Sequence, residues 1–265
     1  MNTILDEIAG KTRVRVENAK GIISFEQLRE QALALAGNGE PAFEHALGQP
    51  ELSFICEVKK ASPSKGIIAA DFPWLEIARE YEAAGVAAIS VLTEPDYFLG
   101  SEQYLREIAK AVSVPTLRKD FIIDSYQIYE TKLLGAQAVL LICALLDTET
   151  LASFISTAAE LELSALVEIH TQAEAEQALE AGAGIIGINN RDLKTFNVDI
   201  DASTRLRECI PAYCLTVAES GIKSPEDVRF LSSLGFDAVL IGESLMRSAD
   251  KKKFLADLKG LSEQN

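Results

Sequence analysis

Glu57 and Lys59 close an apolar run, Phe-Ile-Cys-Glu-Val-Lys-Lys-Ala-Ser-Pro-Ser over Phe54 to Ser64, which Ser62-Pro63 breaks. Side chains two apart on a strand share a face, so this carboxylate and amine point the same way out of a segment built for burial. Burying charge is costly unless the charge is paired or used, which marks the pair as a candidate for acid and base chemistry. Similar groups end later apolar runs: Lys119 in Leu117-Arg-Lys-Asp120, Glu168 in Ser164-Ala-Leu-Val-Glu168, and Glu219-Ser220 after Tyr213-Cys-Leu-Thr-Val217. For any one of them a structural ion pair is as good an explanation as catalysis. Their shared phase favours convergence on one pocket.

Other runs end differently. Asn189, with Arg191 beyond it, follows Ile185-Ile-Gly-Ile188, and Gly242-Glu243-Ser244 follows Ala238-Val-Leu-Ile241. Together with Ser220-Gly221, these small residues can offer backbone amides to a phosphate; helix capping is the competing explanation.

The elements that must position these groups repeat. A helix rich in Ala, Leu and Glu, then a glycine, then an apolar strand recurs at Gly85, Gly135, Gly182 and Gly235. Each glycine suits the left-handed residue that ends a helix. With the four polar-ended strands interleaved, eight strands start about 20 to 35 residues apart, the rhythm of a (β/α)₈ TIM barrel. The near-continuous apolar strands fit a parallel sheet covered on both faces; a doubly wound open sheet is the structural alternative. In a barrel, layers draw on alternate strands and chemistry sits at their C-terminal ends, which is where the odd-numbered strands carry Glu57, Lys59, Lys119, Glu168 and Glu219. About residues 1–50 precede the barrel. Leu5 to Lys20 and a segment begun by the capping box Ser24-Phe-Glu-Gln27 predict helices packed across a barrel end. No linker divides the chain, so 1–265 is expected to form one domain with an N-terminal helical extension.

The chain carries 25 Lys+Arg against 40 Asp+Glu, a formal charge of −15. That argues against a nucleic-acid or anionic-membrane surface, while an anionic small molecule needs only a locally positive site. The Met1 to Glu7 segment carries acid and lacks an apolar signal core, and the longest apolar run falls far short of the roughly 20 residues that span a bilayer, so a cytosolic location is expected. Cys56, Cys143, Cys209 and Cys214 show no CxxC spacing and read as reduced thiols. His45 and His170 lack a ligand-spaced partner, so no metal is expected. Gly182-Ala-Gly184-Ile-Ile-Gly187 matches GxGxxG but enters a strand instead of leaving one, and is rejected as a dinucleotide site.

The stretch Phe54 to Ile68, centred on Glu57-Val-Lys-Lys-Ala-Ser-Pro-Ser64, resembles the signature of the indole-3-glycerol phosphate synthase family. The likeness continues through Leu92-Thr-Glu-Pro-Asp-Tyr-Phe98, Leu117-Arg-Lys-Asp-Phe121, Leu166-Val-Glu-Ile-His170, Gly187-Ile-Asn-Asn-Arg-Asp192, Ala218-Glu-Ser-Gly221 and Ile241-Gly-Glu-Ser-Leu-Met-Arg247.

The resemblance implies a cofactor-free reaction on 1-(2-carboxyphenylamino)-1-deoxyribulose 5-phosphate: ring closure onto the ketone, loss of CO₂, then loss of water. It implies Lys119 as general acid to the ketone oxygen, Lys59 as partner of the substrate carboxylate, Glu168 as proton acceptor and Glu57 as support for the lysines. Asn189 and Ser220 would hydrogen-bond the substrate, Ser62 would order its loop, and Gly221, Gly242, Glu243 and Ser244 would lie at the phosphate. Arg191 would bind substrate or steady Glu57 and Glu168. Which lysine is acid in which step stays open. As an acid, Lys119 is expected to have its pKa depressed toward neutrality by burial and neighbouring cations. A Schiff-base aldolase and a non-catalytic sugar-phosphate-binding barrel are the competing functions. No partner enzyme, from the tryptophan pathway or elsewhere, is assigned.

Overall fold

The computed structural model describes residues 3–35, 41–191, 198 and 201–260. Eight parallel strands close into a barrel: Ser53–Val58, Ala88–Leu92, Thr116–Lys119, Ala138–Ile142, Ser164–Ile169, Ile185–Asn189, Leu215–Glu219 and Ala238–Ile241, called strands one to eight. Each pairs with its sequence neighbours, and strand one closes the ring on strand eight with Ser53 opposite Ala238. The open-sheet alternative is thereby excluded. The helix-ending glycines take the left-handed backbone their positions demand, with φ of 70° at Gly85, 87° at Gly135, 85° at Gly182 and 77° at Gly235.

Alternation along the strands sorts side chains into two cores. Ile55, Leu117, Leu166 and Val217 belong to the cluster that fills the barrel. Cys56, Val167 and Ala218, one residue further on, belong to the layer between strands and helices. Arg118 follows the same parity and leaves the barrel interior. Its guanidinium is 1% exposed and pairs with Glu102 at 3.0 Å, Asp120 at 3.3 Å and Glu130 at 3.3 Å. Charge buried there is matched by carboxylates on two surrounding helices, as a buried cation requires.

The N-terminal extension works at both ends of the barrel. Helix α1 (Ile4–Ile22) starts with a reciprocal Thr3/Asp6 capping box, and α2 (Phe25–Leu33) with the expected Ser24/Gln27 box. Arg15 reaches Asp120 at 2.8 Å and Lys20 reaches Asp124 at 2.6 Å, which ties α1 to the loop after strand three. A third helix, α3 (Ala42–Leu47), was not anticipated. Its Phe43 and Leu47 are fully buried in the interior cluster, and the Ser53 hydroxyl at the start of strand one donates to Ala46 O at 3.1 Å. α3 is thus the floor of the barrel.

Candidate active site

Two residues beyond Ile55, Leu117, Leu166 and Val217 stand Glu57, Lys119, Glu168 and Glu219, still facing inward where the apolar filling ends. They line a cavity of about 560 Å³ at the C-terminal ends of the strands. All the site residues expected from the sequence line the same cavity: Glu57, Lys59, Ser62, Lys119, Glu168, Asn189, Arg191, Ser220, Gly221, Gly242, Glu243 and Ser244. Ile4, Leu5 and Ile8 of α1 complete an apolar wall together with Phe98 and Phe121, whose ring centroids are 6.0 Å apart.

The charges interlock. Lys119 Nζ lies 2.9 Å from Glu168 Oε2 and 3.3 Å from Glu219 Oε2, and the Lys59 amine pairs with Glu57. Two glycines make room for this. A Cβ on Gly187 would collide with the Glu219 carboxylate, and one on Gly242 with that of Glu57 and, at 2.9 Å, with Lys59 Nζ. Ser220 and Gly221 both hold left-handed backbone, φ 65° and 88°. Asn190, 3% exposed, braces this bend by donating to Ser220 O at 3.1 Å while accepting from Ser203 Oγ at 2.7 Å.

The expected depression of the Lys119 pKa is corrected. Burial does act to lower it, but the carboxylates of Glu168, Glu219 and Glu57 outweigh burial and hold the pKa above its ordinary value. Neighbouring cations were expected; neighbouring anions are found. The two glutamates beside the amine divide. Burial raises Glu168, yet Lys119, His170 and hydrogen bonding to Asn189 bring it down to about 2. Burial pushes Glu219 up to about 7, with Lys119 opposing and the Glu168 charge assisting. Glu219 Oε1 is buried without a hydrogen bond.

His170 is a second correction. Its Nε2 lies 3.6 Å from Glu168 Oε1 and its Nδ1 3.5 Å from Glu174 Oε2, so the ring has carboxylates on both sides. Among the described residues no group of three or more His, Cys, Asp or Glu could hold a metal ion, and no helix is long and apolar enough to cross a membrane.

A family model described as indole-3-glycerol phosphate synthase matches residues 5–258. The indole-3-glycerol phosphate synthase of Ruminiclostridium cellulolyticum is 56% identical over 257 residues, covering 97% of this chain and 99% of the relative. That of Thermoanaerobacter pseudethanolicus is 50% identical over 254 residues, 96% of each. The chain belongs to the indole-3-glycerol phosphate synthase family. A solved 3-hexulose-6-phosphate synthase from Salmonella typhimurium superposes with a TM-score of 0.65 at 18% identity, covering 79% of this chain and 98% of that one, and shares the fold.

As an indole-3-glycerol phosphate synthase the chain is a carboxy-lyase of tryptophan biosynthesis that acts on a phosphorylated small molecule. The cavity has the polarity this substrate needs in two zones. At the centre Lys59 and Lys119 are each already paired with carboxylates, so neither amine stands as an uncompensated positive charge. At the rim Lys65, on the loop after strand one, is joined by Lys223 and Arg247, basic side chains that strand-end patterning does not point to. The Glu243 side chain faces Arg191 at 3.9 Å and Arg247 at 3.3 Å. Ser244 Oγ donates to Ile222 O at 3.2 Å and clips the loops after strands seven and eight together. No side chain caps the short helix Glu243–Arg247 that begins there. Ser62 lies in a two-residue antiparallel ladder, Ala61–Ser62 with Gly66–Ile67, which shapes the loop after strand one.

Proposed function

We propose that Lys119, Lys59 and Glu168 divide the proton transfers of indole-3-glycerol phosphate formation among themselves, in the cytosol, with residues 1–265 acting as one barrel domain. The observation that carries this reading is the Lys119 ammonium between Glu168 and Glu219, with Lys59 and Glu57 across the same cavity. The aromatic carbon bearing the carboxylate attacks the ketone carbon. The carbonyl π electrons move to oxygen, and Lys119 donates the proton as alkoxide forms. A lysine held firmly as ammonium is a poor acid toward a ketone but adequate toward an alkoxide, so its main contribution is charge stabilisation in the transition state. The bond to CO₂ then breaks, and its electron pair restores the aromatic ring. Lys59, positioned by Glu57, neutralises the substrate carboxylate beforehand and protonates the hydroxyl that leaves as water. Glu168 takes the carbon-bound proton from the resulting cationic ring system, which is acidic enough for a carboxylate of low pKa. Two protons given and one taken match the single proton the overall reaction consumes.

The remaining residues hold the substrate. Asn189 and Ser220 bond its hydroxyls; backbone amides at Gly221, Gly242, Glu243 and Ser244 take the phosphate, helped by rim cations. Arg191 assists binding, Ser62 orders its loop, and Phe98 and Phe121 flank the anthranilate ring. The protonated state of Lys119 counts against the Schiff-base aldolase, whose lysine attacks as a free amine. A single-turnover experiment on Glu168→Gln tests the order of events. CO₂ is expected to be released while indole fluorescence is lost; fluorescence developing at the wild-type rate contradicts the base role.

A further inference from the structure

His170 stands behind the cavity wall, with no share in its lining, and its position follows from the local chain. Strand five ends at Ile169, Thr171 caps the next helix (Gln172–Glu180) by accepting from the Glu174 amide at 3.2 Å, and the Glu174 carboxylate reaches back to the His170 amide at 2.6 Å. That turn brings the Glu174 side chain alongside the ring it has just fixed. The other ring nitrogen faces Glu168 Oε1, while Glu168 Oε2 is held by Lys119 at 2.9 Å. Neither ring nitrogen makes a hydrogen bond, and both separations, 3.5 and 3.6 Å, are slightly longer than a formed one.

We infer that His170 is a positioning residue for Glu168: its ring, set between two carboxylates, carries a proton and holds Glu168 with one oxygen toward itself and the other toward Lys119. A carboxylate on the last inward-facing position of a strand can rotate about its terminal torsions; a cation on each oxygen removes that freedom and keeps the group ionised. The groups facing the ring are Glu168 from strand five, Glu174 from the following helix and Glu219 from strand seven, all acidic. Cys143, after strand four, donates to Glu174 O at 3.7 Å, and burial raises its pKa to about 12, so it adds no charge. Burial acts to lower the imidazole pKa, but Glu174 and Glu168 outweigh it and raise the value above 6.5. The cationic hold is therefore present below that raised value and fades as pH rises through it. The side chains grow more accessible in the order Glu168 3%, His170 12%, Glu174 19%, while both ring nitrogens are themselves buried.

The inference rests on the base role of Glu168 for its kinetic consequence, and on geometry alone for the ion pair, so two readouts separate them. The chain has two histidines, and a His45→Gln variant assigns both imidazole resonances. An NMR titration is expected to place the His170 midpoint above 6.5, moving down in Glu174→Gln and in Glu168→Gln. In kinetics, His170→Gln is expected to lower kcat about tenfold below that midpoint with KM within about twofold, and to be flat where wild type declines toward it. His170→Lys restores most of the loss by supplying a fixed cation. Full activity of Glu168→Gln with the NMR shifts intact would overturn the base role and leave the ion pair standing. A His170 midpoint at or below 6.5, or equal losses in His170→Gln and His170→Lys, would overturn the inference itself.

Discussion

Lys119 Nζ lies 3.3 Å from Glu219 Oε2, and this contact joins the amine to a carboxyl that burial raises to about 7. Glu219 can thus be neutral while Glu168, on the same amine, stays ionised. One buried cation does not suffice for two adjacent anions, so the proton settles where hydrogen bonding is poorer, at the glutamate whose Oε1 has no hydrogen-bond partner.

This division fixes the pH dependence of stability. Glu219, raised in the folded state, contributes stability present below about 4.5 and lost as pH rises through about 7. Glu168, lowered in the folded state, contributes stability present above about 4.5 and lost as pH falls toward about 2. Melting curves of Glu219→Gln should therefore lack a loss that wild type shows between about pH 4.5 and about pH 7, of order 1 kcal/mol per unit at most. Parallel curves for both proteins across that range would show that Glu219 is ionised throughout.

Gly187 is expected to be indispensable to the site and less so to the fold. A methyl group there meets the Glu219 carboxylate and Leu166. Gly187→Ala should cost activity at least about tenfold by displacing the partner of Lys119, while leaving the circular dichroism spectrum unchanged. Wild-type kcat in that variant would mean that Glu219 is not needed where it stands.

Phe43→Ala tests the floor. Phe43 has no exposed surface and fills the lower end of the barrel, so truncation should cost about 3–5 kcal/mol in urea unfolding. Activity per folded molecule should be nearly unchanged, because the cavity lies at the opposite end. A loss under about 1 kcal/mol would show α3 to be an ornament of the barrel.

The positions of the reactive side chains were legible because one rule, alternation by two, connects an apolar interior residue to the polar residue that ends each odd strand. Ile55 to Glu57 and Leu166 to Glu168 are the same step taken on two strands. Charge state was not legible, since Lys119 answers to three carboxylates from three other strands, and their separations exist only after the barrel closes. The His170 contact escaped for a related reason: one partner ends a strand and the other begins a helix, and only the turn between them sets the distance. Helix α3 is six residues long with no side-chain cap, too short for a periodic signal. Lys223 and Arg247 lie beyond strand ends, where strand parity says nothing about direction.

The central claim is tested most directly by steady-state fluorescence of indole-3-glycerol phosphate formation with Lys119→Ala. Loss of the ammonium removes the charge that meets the forming alkoxide, and kcat is expected to fall by about 10² to 10³ with the barrel still folded. A Lys119→Ala protein turning over at the wild-type rate would contradict the account.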